Sequence, residues 1–232
     1  SSSEMAKVLT VGIKTIPIPE YTPGKDKGVK GKVLFERCKV SKNRNRAVAL
    51  MLVIDCSRSM ASSGSQNFAT AKQGAMKCVA AMSERDYVGI ISFSTAAQVE
   101  SSLLLATDEN KQEMNRAISN LQIGSGTYYT EALRLAHEEL LKSDAPVKHI
   151  IFLSDGQPSD NYQFYDEAER IVDDDITVST IGLGFYSYAL PEIADICGGR
   201  YYYAANAEDL PDVPEIPDDP EEFRKMRESG NE

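Results

Sequence analysis

The sequence has 232 residues, of which 42% are hydrophobic and 26% charged, a composition typical of a globular protein with a substantial core. The formal net charge of −10 argues against unspecific binding to nucleic acid or to an anionic membrane surface. No stretch of 18 consecutive apolar residues is present, so the sequence predicts no transmembrane helix and no insertion into a membrane.

The first 46 residues are predicted to form a small N-terminal β extension. Two β segments, at 7–18 and 29–40, flank a turn-rich stretch that contains proline and glycine. A basic segment, SKNRNR, then leads into the next part of the chain. We therefore expect residues 1–46 to pack beside the main domain.

Residues 47–210 alternate strand and helix patterns. Strands are predicted at 47–55, 87–94, 147–155, 176–184 and 199–204, with a weaker one at 97–105, and helical patterns fill the intervals. The main strands are nearly continuous apolar runs, which is typical of parallel strands covered on both faces. Segment 97–105 alternates better and follows a short connection, so it is predicted to be an antiparallel edge strand. The fold class is therefore α/β: a Rossmann-like, doubly wound, mostly parallel six-stranded sheet.

The last part of the chain, residues 211–232, differs in composition from the rest. It is rich in proline and acidic residues and poor in large apolar ones. Such a segment cannot bury enough apolar surface to order itself, so we predict an acidic, Pro-rich mobile tail.

The four cysteines, Cys38, Cys56, Cys78 and Cys197, are widely scattered and form no C-x-x-C pair. A chain of this length does not depend on disulfides, so free thiols in a reducing compartment are expected. Together with the absence of a basic-then-apolar leader, this favours a cytoplasmic location, with an extracellular fragment as the alternative.

Small oxygen-bearing side chains follow the predicted strands. Asp55 ends strand 47–55 and is followed by Ser57 and Ser59. Asp155 ends strand 147–155, and Thr127 follows a glycine-rich turn that opens a helix. In an open parallel α/β sheet, ligands bind beyond the carboxyl ends of the strands. Two carboxylates and three hydroxyls form an all-oxygen set, which suits Mg²⁺, Mn²⁺ or Ca²⁺ and disfavours zinc or copper. Because hydroxyls are neutral, the ion would keep much of its charge and attract an external carboxylate.

The motifs DCSRS, GSGT and SDG, in this order on a Rossmann-like pattern, resemble the von Willebrand factor type A domain and its metal-ion-dependent adhesion site. The resemblance covers roughly residues 47–210. It implies that Ser57 and Ser59 bind the ion directly, that Thr127 binds directly or through water, and that the aspartates act largely through water. A glutamate or aspartate of a partner protein usually completes the ion's coordination. One departure is Arg58, where the family often has glycine; its cation could meet an acidic partner or weaken metal binding.

Simpler roles compete for some of these residues. Asp55 and Ser57 could merely cap the next helix. Thr130 is expected to cap or pack the helix that follows Thr127, and Tyr128 and Tyr129 are candidates for a partner surface.

Three functions remain open from the sequence. The first is a non-enzymatic, metal-dependent protein-binding module whose divalent cation bridges to an acidic partner residue. The second is a metal-dependent hydrolase or phosphotransferase that uses the same site, although no general base stands out. The third is a structural domain whose site holds no metal, against which the complete set of five donors argues.

Overall fold

The computed structural model describes residues 29–30, 46–62, 64–184 and 187–204. Predictions for the N-terminal extension and for the acidic tail fall mainly outside these residues and stay predictions. The strands are β1 (Val29–Lys30), β2 (Val48–Asp55), β3 (Tyr87–Phe93), β4 (Ala97–Leu105), β5 (Val147–Ser154), β6 (Ile176–Leu183) and β7 (Gly198–Ala204). The helices are α1 (Asn67–Ala81), α2 (Asp108–Ser119), α3 (Tyr129–Leu141), α4 (Gln163–Asp173) and α5 (Ala189–Ile196), with a 3₁₀ helix at Arg58–Ala61.

The strands form one sheet in the order β1-β7-β6-β5-β2-β3-β4. All neighbours are parallel except β3 and β4, which pair antiparallel at the edge. This confirms the predicted six-stranded sheet, to which β1 adds two residues beside β7. The chain runs outward from β2 to β3 on one side and from β5 to β6 on the other. The strand order therefore reverses between β2 and β5, which is where such sheets open a crevice for ligands.

The centre of the sheet is buried on both faces. All eight residues of β2 are buried, and alternate side chains enter two separate cores. Leu50, Leu52 and Ile54 pack on the side covered by α1 and α2. Ala49, Met51 and Val53 pack on the side covered by α3, α4 and α5. Each fully buried Val, Leu, Ile or Met side chain contributes about 1.5–3 kcal/mol, so β2 gives stable support to the loop that follows it.

Helices α3 and α4 are joined by a cluster of polar side chains around the buried Glu167 carboxylate. His137 on α3 places Nδ1 2.8 Å from Glu167 Oε1 and Nε2 2.7 Å from Asp174 Oδ2. Arg170 donates to the other oxygen of Glu167 at 3.1 Å. These contacts fix α4, and with it the loop between β5 and α4, against α3.

The described cysteines Cys56, Cys78 and Cys197 are buried thiols, as expected. Cys38 lies outside the described residues, and the compartment stays a prediction. Among the helices that the structure describes, none has the length and hydropathy needed to cross a membrane.

Candidate metal-binding site

The loop after β2 folds its polar side chains toward one point. Asp55 Oδ1 accepts a hydrogen bond from the Ser57 amide at 2.7 Å, which bends the chain into the 3₁₀ helix. Ser57 stands at the start of that helix, but its side chain makes no capping hydrogen bond. Its Oγ lies 3.0 Å from Ser59 Oγ instead. The simple capping role is therefore wrong for Ser57, whose hydroxyl is turned toward Ser59.

The loop after β5 completes this hydrogen-bonded cluster. Ser59 Oγ donates to Asp155 Oδ1 at 2.7 Å, across 96 residues of sequence. Asn67, at the start of α1, donates through Nδ2 to Asp155 Oδ2 at 3.1 Å. Ser154 Oγ donates to Asp55 Oδ2 at 2.6 Å. Both aspartates are thus held by side chains from the neighbouring loops.

The third loop, which carries Thr127, lies between the other two. The Gly124 amide donates to the Cys56 carbonyl at 2.7 Å, and the Ser159 amide donates to the Thr127 carbonyl at 2.8 Å. Gly126 adopts φ +75°, a backbone conformation that favours glycine. Thr127 is 7% exposed. The structure therefore links Asp55, Ser57, Ser59 and Asp155 through side chains or neighbouring amides, and positions Thr127 beside them by main-chain hydrogen bonds.

Asp160 is a structural member of the site that the sequence did not reveal. Its two carboxylate oxygens accept the amides of Tyr129 and Thr130 at 3.1 and 2.7 Å, and so cap α3 from the loop after β5. Thr130 does not cap the helix, because its own Oγ1 is buried without a hydrogen-bond partner. Asp160 thus fastens the Asp155 loop to the helix that begins beside Thr127.

Tyr129 is a core residue and not part of a partner surface, contrary to expectation. Its side chain is fully buried, and its ring packs edge-on against Phe152 at 4.8 Å. Its hydroxyl donates to the Gly156 carbonyl at 2.6 Å and lies 3.0 Å from Ser154 Oγ. Tyr128, in contrast, is 38% exposed, so only the first of the two tyrosines can meet a partner.

Burial controls the electrostatics of the site. The pKa of the Asp55 carboxyl is raised to about 6, chiefly because the group is completely buried; hydrogen bonds from Ser154 and Ser57 oppose the shift, and the nearby Asp155 carboxylate adds a smaller increase. Burial also raises the pKa of the Cys56 thiol, to about 12. Cys56 is therefore an inert core thiol, whereas two neighbouring carboxylates in a low-dielectric position favour a cation between them.

The donor set fits a hard divalent cation. Ser57 Oγ and Ser59 Oγ lie 3.0 Å apart beside two carboxylates, and Ser59 is exposed, which leaves access from solvent. Within the described parts of the chain, no group of three or more His, Cys, Asp or Glu side chains is placed to hold a metal ion. A cation here would depend on the hydroxyls of Ser57, Ser59 and Thr127 together with Asp55 and Asp155, and would supply a Lewis-acidic centre for an anionic group.

Several known proteins resemble this chain in sequence or in fold. A bovine protein, calcium-activated chloride channel regulator 1 (Bos taurus), is 25% identical over 166 residues, which make up 70% of this chain and 18% of the regulator. The chain therefore spans only a small part of that relative's length.

Solved structures share the fold at low sequence identity. A von Willebrand factor type A protein from Catenulispora acidiphila superposes with a TM-score of 0.66 at 20% identity, over 80% of this chain and 42% of that one. Proximal thread matrix protein 1 from the mussel byssus, described with a zinc-occupied adhesion motif, gives 0.62 at 17% identity, over 78% of this chain and 46% of that one. A family model of the von Willebrand factor type A domain matches residues 49–216. The chain belongs to the von Willebrand factor type A domain family.

Proposed function

We propose that this chain is a non-enzymatic, divalent-cation-dependent protein-binding module. The cation would be held by Asp55, Ser57, Ser59, Thr127 and Asp155, and a glutamate or aspartate of a partner protein would complete its coordination. The observation that supports this most directly is a pair of consecutive side-chain hydrogen bonds, from Ser57 to Ser59 and from Ser59 to Asp155, which joins two loops 96 residues apart.

The acidic partner follows from the charge of the donors. Three of the five donors are neutral hydroxyls, so they quench little of the ion's charge, and Asp55 and Asp155 are already engaged by hydrogen bonds. A carboxylate from outside is then the strongest ligand available to the ion. The all-oxygen set favours Mg²⁺, with Mn²⁺ or Ca²⁺ as alternatives. The mussel protein carries zinc in its motif, so the test includes zinc.

Titration calorimetry with MgCl₂, MnCl₂ and ZnCl₂ tests the metal site. We expect the wild type to bind Mg²⁺ and Mn²⁺, and Ser57→Ala to lose most of that binding. Ser102→Ala, an exposed serine on the edge strand β4, removes the same hydroxyl away from the site and should bind like the wild type. Equal binding by all three proteins, or none by the wild type at millimolar metal, would overturn the proposal.

The geometry of Asp55 disfavours the enzymatic alternative, in which this carboxylate would act as a nucleophile. A nucleophilic carboxylate must reach its substrate, but Asp55 is 0% exposed and both its oxygens accept hydrogen bonds, from the Ser57 amide and the Ser154 hydroxyl. We expect no metal-stimulated hydrolysis of p-nitrophenyl phosphate above the Ser57→Ala background. Turnover by the wild type that Ser57→Ala lacks would instead support the enzyme.

A further inference from the structure

Arg58 stands between the two serines of the candidate metal site. It is the first residue of the 3₁₀ helix and is exposed, whereas Ser57 is buried. Its Cα is one residue, about 3.8 Å, from the Cα atoms of Ser57 and Ser59. Because the two serine hydroxyls lie 3.0 Å apart, the long Arg58 side chain starts at the edge of the surface that a metal-bound ligand would cover.

The guanidinium of Arg58 is uncommitted. Two other arginines are engaged on their own helices: Arg134 pairs with Glu131 and Glu138, and Arg170 pairs with Glu167. Within the residues that the structure describes, the Arg58 side chain takes part in no ion pair and no hydrogen bond. Arg58 is thus an exposed, unpaired cation beside the site, on a protein with a net charge of −10.

We infer that Arg58 binds a second carboxylate of the partner, so that the preferred partner segment carries two neighbouring acidic residues. This inference rests on the proposed function: one carboxylate meets the cation and the other meets Arg58. A guanidinium binds a carboxylate through two parallel hydrogen bonds, which lysine cannot reproduce. In an extended segment, acidic residues at alternate positions share one face and lie about 6.7 Å apart. The segment recognised is therefore acidic-x-acidic.

Capped five-residue peptides in millimolar Mg²⁺, followed by NMR titration, test this assignment. One peptide has a single central glutamate in an alanine background, and the other has glutamates at alternate positions. Either glutamate can occupy the ion, so statistics alone favour the second peptide about twofold. With Arg58 engaged, we expect the wild type to prefer the second peptide about fivefold to tenfold. Arg58→Ala should reduce that preference to about the statistical twofold, and Arg58→Lys should fall between.

Arg85→Ala is the matched control. Arg85 is exposed and precedes β3, so it lies at the opposite end of the parallel strands from the site, about 20 Å away along the sheet. Arg85→Ala changes the net charge by the same one unit as Arg58→Ala, so the preference for the second peptide should stay at the wild-type value. A drop as large as in Arg58→Ala would mean that only the overall field matters, and would overturn the inference.

The remaining outcomes separate this inference from the proposed function. If neither peptide binds the wild type in an Mg²⁺-dependent way, the proposed function fails and the role of Arg58 falls with it. If both peptides bind with Mg²⁺ but differ only by the statistical factor, the metal-bridged module stands and the role of Arg58 is overturned. That role is also overturned if Arg58→Ala, with an unchanged melting temperature, weakens the binding of both peptides equally.

Discussion

Replacing Asp55 by asparagine should stabilise the metal-free protein at neutral pH while removing its response to divalent cations. Burial raises the pKa of this carboxyl from 3.8 to about 6. The unfolded chain keeps the ordinary value, so between these two pH values the folded protein holds a proton that the unfolded chain has released. The free energy of unfolding of the metal-free wild type therefore falls as pH rises through this window.

The magnitude follows from the same two values. They differ by about two pH units, each equivalent to about 1.36 kcal/mol, which gives a cost of about 3 kcal/mol at pH 7. Asparagine does not carry this cost. Its carbonyl can accept the Ser57 amide, and its NH₂ group faces Ser154 Oγ, whose hydroxyl can turn to the Gly156 carbonyl at 3.4 Å. For a chain of this size the gain corresponds to a rise in Tm of about 6–12 °C.

Urea unfolding in EDTA at pH 4 and pH 7 measures the effect. At each pH, the unfolding free energy of the wild type is subtracted from that of Asp55→Asn, which cancels the titration of the carboxylates that both proteins share. The extra stability of Asp55→Asn should be small at pH 4 and reach its full value at pH 7. Asp173→Asn, an exposed change at the end of α4, should show no such pH dependence. At a Mg²⁺ concentration of 100 times Kd the wild type alone gains about 2.7 kcal/mol. A variant that is less stable than the wild type at pH 7 in EDTA, or equally favoured at both pH values, refutes the reasoning.

Three further changes probe the supports of the site. Asp160→Ala removes the cap of α3, so it should lower the unfolding free energy in urea by about 1–2 kcal/mol and weaken Mg²⁺ binding in calorimetry. Asp160→Asn should keep part of the stability and part of the Mg²⁺ affinity. A loss of stability with unchanged Mg²⁺ affinity would show that the cap does not support the metal site. His137→Ala removes one of the two side chains that bind the buried Glu167 carboxylate, and should lower the unfolding free energy by about 1–3 kcal/mol; a loss below about 0.5 kcal/mol would show that the cluster relaxes freely. Gly126→Ala places a Cβ on a residue with φ +75°, 2.5 Å from Thr95 Cγ2. It should lower the unfolding free energy by at least about 1 kcal/mol in the same assay. An unchanged unfolding free energy would mean that this turn can adopt another conformation.

Much of the fold could be predicted from the sequence because burial and local pattern agree. The continuous apolar runs of β2 and β5 are explained by helices on both faces, and the alternation in β4 by its place at the edge. The 3₁₀ helix at Arg58–Ala61 could not be predicted, since four residues of small and mixed side chains carry no periodic signal. The family assignment expected from the three motifs is confirmed.

The candidate site was predictable only for residues that lie in local motifs. Asp55, Ser57, Ser59 and Asp155 come together as expected, while their role as metal ligands, with Thr127, stays a prediction. The supporting contacts carry no local signal because they span the chain: Ser154 reaches Asp55 across 99 residues and Asn67 reaches Asp155 across 88. The prediction for Tyr129 is wrong because sequence position alone does not distinguish an exposed tyrosine from its buried neighbour.

The double anchoring of the loop after β5 constrains how this chain can vary in length. Asp155 is fastened at one end of the segment by Ser59 and Asn67, and Asp160 at the other by the first amides of α3. One inserted residue adds up to about 3.3–3.6 Å of chain, enough to pull either carboxylate off its donors. Insertions and deletions should therefore be rejected between residues 155 and 160 and tolerated in the turn at 142–146, which precedes β5 at the opposite end of the strands from the site.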